Sequence, residues 1–276
     1  MSGTTLHGRS AIHALLEKHG IRARKSLGQN FLADPNVVER IVRVAEVAAT
    51  DNVVEVGTGT GTLTRALAAA AGRVVTYEVD ERFRPLHAET LADLGNVEVR
   101  YEDVARVDLG TDLNGDRWVM VANMPYNVGT PILMEALRNA PKIGRFVVML
   151  QREVAERLIA SPGSKTYGLP SVSLALRASA RRSFNVPPQV FLPRPDVDSS
   201  VVLIERRSAH PAAASAEVLA GVAFNQRRKM LRRSLMSVLV DPSSTIAAAG
   251  LEPEARAEDL SAADYLRLAE AAVDDR

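Results

Sequence analysis

Short apolar runs alternate with stretches of helical periodicity along the first 160 residues of the chain. Runs rich in β-branched residues predict strands at residues 52–56, 73–78, 97–101, 117–122 and 145–150. Apolar positions that recur every three or four residues predict helices at residues 63–71, 81–94, 131–139 and 152–160. Strands that alternate with helices are typical of a parallel sheet with helices on both faces. The pattern therefore predicts an α/β fold.

Two further helices are predicted before this alternation begins. Residues 10–19 predict a short helix that is closed by Gly20 and followed by a basic segment. Asp34 and Pro35 are typical of a helix start, because the carboxylate caps free N–H groups and proline suits the first turn. An apolar stripe over residues 37–45 continues this second helix.

The pattern changes in the second half of the chain. Two more strands are predicted at residues 183–186 and 199–206, and a linker of small residues follows at 208–215. We therefore predict an α/β domain over residues 1–207, which starts with a basic N-terminal arm. Residues 208–276 are predicted to form a small helical domain.

Only helical periodicity is found in this second domain. It predicts one long helix over residues 216–239 and a shorter one at 243–249. A last helix is predicted to begin at Ser261, because Asp264 stands three residues later and completes a capping box.

Composition limits the classes of function. A chain of 276 residues that is 46% apolar has ample material for a core. It has no cysteine, which excludes disulfides and thiolate metal sites, and its five histidines are scattered, so that no metal is expected. There is no apolar run of membrane-spanning length and no apolar signal-peptide segment at the polar N-terminus. We expect a cytoplasmic protein without a membrane partner.

The charge is distributed unevenly, although the net charge is only +1. Residues 31–137 carry −8, whereas residues 1–30 carry +4 and residues 138–194 carry +8. Such a bipolar distribution indicates a surface suited to an anionic polymer. Ordinary fluctuation of surface charge along the chain is the alternative.

A glycine-rich loop follows the first predicted strand. Gly57, Gly59 and Gly61 let the backbone turn sharply and bring a ligand close to N–H groups at a helix start. Thr62 stands where a dinucleotide-binding loop needs glycine or alanine, which weakens an NAD-binding interpretation. No Gly-Lys-Ser/Thr follows, so that a phosphate-binding P-loop is excluded. A tight turn without any ligand is the remaining alternative.

Two carboxylates follow the next two predicted strands. Glu78 lies 21 residues after Gly57, where a carboxylate can accept hydrogen bonds from both hydroxyls of a ribose. Asp103 follows the third strand, where it can accept a hydrogen bond from an exocyclic adenine amine. Each residue alone is also compatible with an ordinary strand end or turn. Together with the glycine loop they predict an adenosine-type cofactor site.

The fourth strand ends in a tetrapeptide suited to a flat base. Asn123 offers an amide oxygen, and Pro125 holds the backbone carbonyl of Met124 outward, so that the two oxygens can accept from an exocyclic amine. Tyr126 can stack on the ring of the base. A proline turn with a core tyrosine is the alternative for this tetrapeptide taken by itself.

With these motifs the chain closely resembles the ribosomal RNA adenine N6-dimethyltransferases of the KsgA type. The matching stretches cover the chain from about residue 22 to residue 235 and occur in order at residues 25–32, 55–61, 77–80, 102–103, 123–126, 150–158, 164–168, 191–199 and 225–229. The resemblance implies a Rossmann-like sheet of seven strands, typical of class I methyltransferases. It also implies that S-adenosylmethionine is the cofactor.

The resemblance assigns a role to each candidate site residue. It implies that the cofactor is bound by Gln29, Asn30, Leu32, Gly57, Gly59, Gly61, Glu78, Asp103 and Asn123. It implies that the target adenine is received by Asn123, Met124, Pro125 and Tyr126, with Phe191 closing over its other face.

The implied reaction is dimethylation of N6 in adjacent adenines of the 3′-terminal hairpin of 16S ribosomal RNA, within small-subunit biogenesis. The amine nitrogen attacks the sulfonium methyl group in an in-line displacement. Hydrogen bonds accepted by Asn123 and Met124 draw the nitrogen towards tetrahedral geometry, and no general base is needed. The expected partner is ribosomal RNA or a precursor of the small subunit, and a monomer is expected.

Basic residues offer contacts to the RNA phosphates. The candidates are Arg22, Arg24, Lys25, Lys165, Arg227, Arg228, Lys229, Arg232 and Arg233, and Arg181, Arg182 and Arg194 fall near the predicted substrate side. The five basic residues between positions 227 and 233 are expected on one helix. A solvated helix face is the alternative for that cluster.

Three positions depart from the family pattern: Met124 replaces leucine, Thr58 replaces proline, and Asp196 replaces lysine. The last change removes a positive charge on the substrate side and leaves the RNA target open. One alternative is an enzyme of the Erm type, which methylates large-subunit RNA and confers antibiotic resistance. The other is a ribosome assembly factor that has the fold but no activity.

Overall fold

The computed structural model describes residues 8–273, so that the outer ends of both predicted domains, residues 1–7 and 274–276, lie outside it. Its strands are β1 Phe31–Leu32, β2 Asn52–Val56, β3 Arg73–Tyr77, β4 Val97–Arg100, β5 Trp118–Asn123, β6 Ile143–Gln151, β7 Ala178–Val186, β8 Phe191–Leu192 and β9 Ser199–Arg206.

Helices fill most of the connections. They are α1 Arg9–Lys18, α2 Pro35–Ala45, α3 Thr62–Ala70, α4 Arg84–Thr90, α5 Leu109–Asp112, α6 Gly129–Asn139, α7 Arg152–Leu158, α8 Leu169–Ala175, α9 Ala213–Asn225, α10 Leu231–Ser234, α11 Pro242–Ala248 and α12 Ala262–Ala271. Between residues 8 and 273, none of these helices is long and apolar enough to cross a membrane.

Two helix starts form as their sequences predict. The Asp34 carboxylate accepts from the N–H groups of Asn36 and Val37, and Pro35 occupies the first helical position of α2. Ser261 and Asp264 form the predicted capping box at the start of α12. The side chains at these starts accept hydrogen bonds from backbone N–H groups that have no acceptor within the helix.

Seven strands form one sheet in the order β4-β3-β2-β5-β6-β9-β7, which confirms the predicted α/β fold. The pairs from β4 to β6 are parallel, and β9 is antiparallel to β6. The central strands are apolar along almost their whole length because helices cover both of their faces. The core on one side of the sheet includes Val53, Val121, Val147 and Leu203.

The strand order places the ends of β2 and β5 side by side. The chain runs outward from β2 through β3 to β4 and then returns to β5, which pairs with β2 on the other side. Ligands of open α/β sheets bind at the carboxyl ends of the strands where the order reverses in this way. The glycine loop after β2 and the tetrapeptide at the end of β5 therefore meet at this edge.

The chain forms two compact units. The first, Met1–Ala155 with Arg181–Glu205, contains the cleft described below, and the second is Glu156–Ala180 with Arg206–Arg276. The predicted division at residue 207 therefore misses the segment 156–180. Tyr167 and Val172 in that segment share an apolar core with Leu219 and Tyr265, a long-range packing that the local pattern does not reveal.

The predicted helix over residues 216–239 is wrong as one element. Helix α9 ends at Asn225, and the backbone of the next residues pairs with a distant segment instead. The N–H of Leu231 donates to the Ala255 carbonyl at 2.6 Å, and Met230 forms an isolated bridge with Arg256. The two-residue strands β1 and β8, and the helices α5 and α8, are also absent from the prediction.

Candidate functional site

A cleft of about 920 Å³ opens at the carboxyl ends of β2, β3 and β5, beside the loop that follows β4. It brings together most of the predicted cofactor and substrate residues, although they are spread over 98 positions of the sequence. The predicted residues that line it are Gln29, Asn30, Leu32, Gly57, Gly59, Glu78, Asp103, Asn123, Met124, Pro125 and Tyr126.

The glycine loop has the backbone conformation that its sequence predicts. Gly57, Gly59 and Gly61 have φ values of 83°, 55° and 78°, in the region that favours glycine. Gly57 and Gly59 line the cleft, whereas Gly61 caps helix α3 and is not among the lining residues. A Cβ on Gly61 would lie 3.0 Å from Cδ2 of Leu91, so that this glycine serves helix packing.

The Glu78 carboxylate is fixed at the cleft by the backbone. Its two oxygens accept from the N–H groups of Gly59 and Asp80, each at 2.9 Å. Burial raises the pKa of Glu78, and the hydrogen bonds from these N–H groups oppose that shift. The carboxylate thus links the glycine loop to the end of β3 and still has lone pairs available to a ligand.

Gln29 joins the N-terminal arm to the loop after β3. Its amide nitrogen donates to Asp80 at 3.1 Å, and its amide oxygen accepts from the backbone N–H of Arg24 at 2.8 Å. Arg82 also donates to Asp80, and its hydrogen bonds lower the pKa of that carboxyl to about 2. Asp80 therefore stays ionised and anchors the arm beside the cleft.

Asp103 lies at the cleft as an exposed turn residue. Its carboxylate accepts from the N–H of Ala105 at 3.1 Å and lies 3.6 Å from the guanidinium of Arg106. Asp103 therefore caps a turn and also lines the cleft, and its contact with an adenine amine stays a prediction. The second oxygen of the carboxylate can accept from a ligand.

Asn123 is oriented by the N-terminal arm. Its amide nitrogen donates to the Asn30 carbonyl at 2.9 Å, which directs its oxygen away from that contact. Within residues 8–273, neither this amide oxygen nor the Met124 carbonyl oxygen accepts a hydrogen bond. The cleft thus contains two neighbouring acceptors without a donor, the arrangement that a primary amine can satisfy.

Tyr126 is held from its hydroxyl end. The hydroxyl lies 2.7 Å from Oγ of Ser199, which is fully buried at the start of β9, and burial raises the pKa of Tyr126. This contact fixes the ring at the cleft. Ser199 stands in a recognisable motif, but nothing in the sequence indicates that it contacts Tyr126.

Phe191 lies in the apolar core and not in the lining of the cleft. It is fully buried, belongs to the apolar core that also contains Leu32, and does not line the cleft. The reason is the pairing of β8 with β1, in which Phe191 lies opposite Leu32. Phe191 therefore packs against Leu32, and its expected contact with the target adenine stays a prediction.

Sequence reasoning missed a buried carboxyl beneath the glycine loop. Glu55 on β2 is 1% exposed and accepts a hydrogen bond from the Thr64 hydroxyl at 2.6 Å. Burial raises its pKa to about 8, although the Thr64 hydrogen bond opposes the shift. An acidic residue within an apolar strand was the available signal.

The basic cluster at residues 227–233 is divided between a turn and helix α10, not carried on one helix. Arg227 pairs with Glu258 at 2.6 Å and also donates to the Lys165 carbonyl, so that it stabilises the helical unit. Arg232 pairs with Glu254 at 3.1 Å. Among the predicted RNA-contacting residues, the exposed ones are Arg228, Lys229, Arg233 and Lys165 in this unit, and Arg22, Arg24 and Lys25 in the arm.

Comparison with known proteins identifies close relatives. Residues 20–274 match the model of the family described as ribosomal RNA adenine dimethylase. The chain is 43% identical to ribosomal RNA small subunit methyltransferase A of Kineococcus radiotolerans, over 94% of this chain and 89% of the relative. It is 39% identical to the protein of the same name from Ligilactobacillus salivarius, over 94% of this chain and 93% of the relative.

Solved structures share the fold. The 23S rRNA methyltransferase ErmE superposes with a TM-score of 0.69 at 26% identity, covering 88% of this chain and all of that one. A dimethyladenosine transferase from Plasmodium falciparum superposes with a TM-score of 0.73 at 22% identity, covering 86% of this chain and 95% of that one. The class I methyltransferase fold predicted from the resemblance is thereby confirmed.

Proposed function

Because the chain belongs to the ribosomal RNA adenine dimethylase family, we infer that it transfers methyl groups from S-adenosylmethionine to N6 of adenine in ribosomal RNA. The curated relatives at about 40% identity are small-subunit enzymes by name, which supports small-subunit RNA as the substrate. The observation that carries the chemistry is the pair of acceptors without a donor, on Asn123 and Met124, in the cleft that also contains Glu78.

The residues of the cleft fit the cofactor. Gly57 and Gly59 permit close approach of a ligand to the backbone, and Glu78 presents a fixed carboxylate suited to ribose hydroxyls. Asp103 is suited to the adenine amine, and Gln29 holds the arm over the site. When bound, S-adenosylmethionine supplies the electrophilic methyl group.

The chain activates the substrate through geometry. An exocyclic adenine amine is a poor nucleophile because its lone pair is delocalised into the ring. The Asn123 amide oxygen and the Met124 carbonyl accept the two N–H bonds of the amine, which favours a tetrahedral nitrogen and returns the lone pair to it. The ring of Tyr126, fixed by Ser199, stacks on the base. Positioning of the base and the preformed dipoles of the two acceptor groups account for most of the expected rate enhancement.

We propose fewer RNA-contacting residues than the number of basic residues in the sequence suggests. Arg228, Lys229 and Arg233 are exposed, and Lys165 and the arm residues 22–25 offer further positive charge. Contact with phosphates gives affinity without sequence preference. Arg227 and Arg232 act mainly through their partners Glu258 and Glu254. A ribosomal substrate supports a cytoplasmic location, and one chain acting as a monomer provides all the residues of the proposed site.

The test of the proposed site is Asn123→Ala, with Asn139→Ala at the exposed end of α6 as the control. Calorimetry measures binding of S-adenosylmethionine, and tritium counting measures methyl transfer to separated 30S and 50S particles from an unmodified strain. We expect Asn123→Ala to bind the cofactor within a few-fold of wild type and to lose at least about 100-fold in transfer. Transfer within a few-fold of wild type would refute the role of Asn123.

The particle that carries the label identifies the substrate of the enzyme. Label on 30S particles supports the small-subunit assignment, and label on 50S particles alone supports the Erm type. A chain that binds ribosomal particles but neither binds the cofactor nor transfers methyl groups is the inactive assembly factor.

A further inference from the structure

A buried histidine that does not line the cleft contacts the glycine loop. His87 lies on α4, is 3% exposed, and is not among the residues that line the cleft. Its Nε2 is 2.8 Å from the Gly59 carbonyl oxygen, and its Nδ1 is 2.8 Å from the Tyr101 hydroxyl. The proposed reaction makes no direct use of this residue.

The chemistry of its partners fixes the tautomer of His87. A carbonyl oxygen can only accept, so that Nε2 carries the hydrogen and donates to Gly59. Nδ1 is then an acceptor, and the Tyr101 hydroxyl donates to it. Burial lowers the pKa of His87 to about 4, which keeps the ring neutral and this arrangement intact near neutral pH.

Gly59 is therefore held through both of its peptide groups, Thr58–Gly59 and Gly59–Thr60. Its N–H donates to the Glu78 carboxylate and its carbonyl accepts from His87. The same ring contacts the hydroxyl of Tyr101, which directly follows β4 and lies two residues before Asp103. His87 therefore connects the glycine loop to the loop after β4. These contacts connect all three parts of the proposed cofactor site.

The ring itself has little freedom to move. It stacks on Phe83 with 5.8 Å between centroids and packs against Tyr101 at 5.7 Å. Phe83 in turn packs on Phe31, and the guanidinium of Arg84 lies 3.8 Å from the Tyr101 ring centroid. A donor placed this rigidly selects one orientation of the Gly59 peptide.

We propose that His87 is a positioning residue that orients the Gly59 peptide, and with it Glu78, for binding of S-adenosylmethionine. This proposal rests on the proposed function. Without the Nε2 donor, the Gly59 carbonyl loses its hydrogen bond at a part-buried position, and the loop relaxes away from the orientation that Glu78 requires. Loss of the His87 donor therefore weakens cofactor binding and leaves the rate of the methyl-transfer step unchanged.

Two variants of similar polarity separate the contacts of His87. In His87→Gln the amide nitrogen reaches the position of Nε2 and can still donate to Gly59. In His87→Asn the shorter amide reaches only the position of Nδ1, beside Tyr101. Leu113→Ala, a fully buried residue at the end of α5 that does not line the cleft, controls for loss of stability alone.

Steady-state kinetics and direct binding of S-adenosylmethionine are measured for wild type and the three variants. We expect His87→Asn to raise KM and Kd for the cofactor about tenfold with kcat within about twofold, the effect of losing one buried hydrogen bond. His87→Gln is expected to stay within about threefold of wild type, and Leu113→Ala to lower the melting temperature without changing KM.

Equal KM values for His87→Asn, His87→Gln and wild type would overturn the proposal. Parallel losses of kcat in both His87 variants would overturn it too, since they indicate a general structural role. Wild-type protein that neither binds the cofactor nor transfers methyl groups would instead refute the proposed function, so that the two failures are distinguishable.

Discussion

Individual side chains at the cleft share one property: hydrogen bonds to the protein fix the orientation of each and leave an atom, a lone pair or a ring face available to a ligand. The Asn123 nitrogen is bound to Asn30, the Tyr126 hydroxyl to Ser199, and both Glu78 oxygens to backbone N–H groups. Such groups lose little conformational entropy when a ligand binds. The cleft is therefore preorganised for a flat base bearing an amine.

The buried carboxyl of Glu55 makes stability depend on pH. Its folded-state pKa of about 8 lies above the ordinary value of 4.5, so that between these values the folded state binds a proton that the unfolded state lacks. This contribution is complete below about pH 4.5 and decreases as the pH rises towards 8. Glu55→Gln keeps the neutral form at every pH.

We therefore expect the free energy of unfolding of Glu55→Gln, relative to wild type, to increase by about 2 kcal/mol between pH 6 and pH 7.5. Urea denaturation without cofactor at several pH values measures it. The comparison cancels the titration of His87, which is common to both proteins. Parallel curves for the two proteins would show that Glu55 is ionised throughout.

The sequence predicts which residues approach a ligand better than it predicts which are buried behind them. Asn123 and Glu78 follow strands at the switch of strand order, and their type and position are sufficient. Phe191 and Arg227 are not predictable in this way. The pairing of β8 with β1 buries the first, and Glu258 engages the second from 31 residues away.

Among the secondary-structure elements, the N-terminal arm and the loop after β5 hold each other in place. The Asn127 amide donates to the Ser26 carbonyl at 2.9 Å, and Asn123 donates to Asn30. Gly28 lies between them with φ at 64°, where a Cβ would be 2.9 Å from Asn127 Oδ1 and 3.0 Å from the Tyr126 nitrogen. A glycine is required here for close approach as well as for conformation.

Gly28→Ala is expected to displace the loop that carries Asn123 and Tyr126 and to reduce kcat/KM for methyl transfer at least about tenfold. Gly20→Ala is the matched control, because Gly20 has φ at 62° and nothing within 4 Å of an added Cβ. Both variants should lose about 1 kcal/mol of stability from the left-handed backbone. Equal activities of the two variants would refute the close approach as the cause.

Elements with a strong local pattern are predicted well, and those made by distant contacts are not. The bounds of β2 and β9 agree with the sequence because each contains a cluster of aliphatic and β-branched residues that is typical of a strand. Strand β1 has only two residues and forms by pairing with β8. The end of α9 depends on hydrogen bonds from residues 230–232 to residues 253–256, which no local periodicity reveals.

Considered over its full length, the chain combines a preorganised cleft with exposed basic residues on each of its two units. Net charge hides this arrangement, because the acidic and basic segments nearly cancel to +1. Ion pairs further reduce the number of cations that can contact RNA, since Arg227 and Arg232 already have carboxylate partners. The proposed RNA contacts are the exposed residues that remain.

Replacing Arg228, Lys229 and Arg233 together with alanine is expected to weaken RNA binding and to reduce the slope of log K against log salt by about 2. Arg267→Ala is the control in the same unit, because this side chain pairs with Asp264 at 2.6 Å. Filter binding to 30S particles over a range of salt concentrations gives both slopes. A triple variant with an unchanged slope would exclude these residues from the RNA interface.

Mass spectrometry of the nucleosides of small-subunit RNA tests the proposed activity most directly. Unmodified 30S particles are incubated with the chain and S-adenosylmethionine labelled in its methyl group, and the RNA is then digested. We expect N6,N6-dimethyladenosine that carries the label in both methyl groups, and none with Asn123→Ala. Absence of labelled N6,N6-dimethyladenosine from the 30S RNA with the wild-type chain, or label only in 50S particles incubated in parallel, would contradict the assignment.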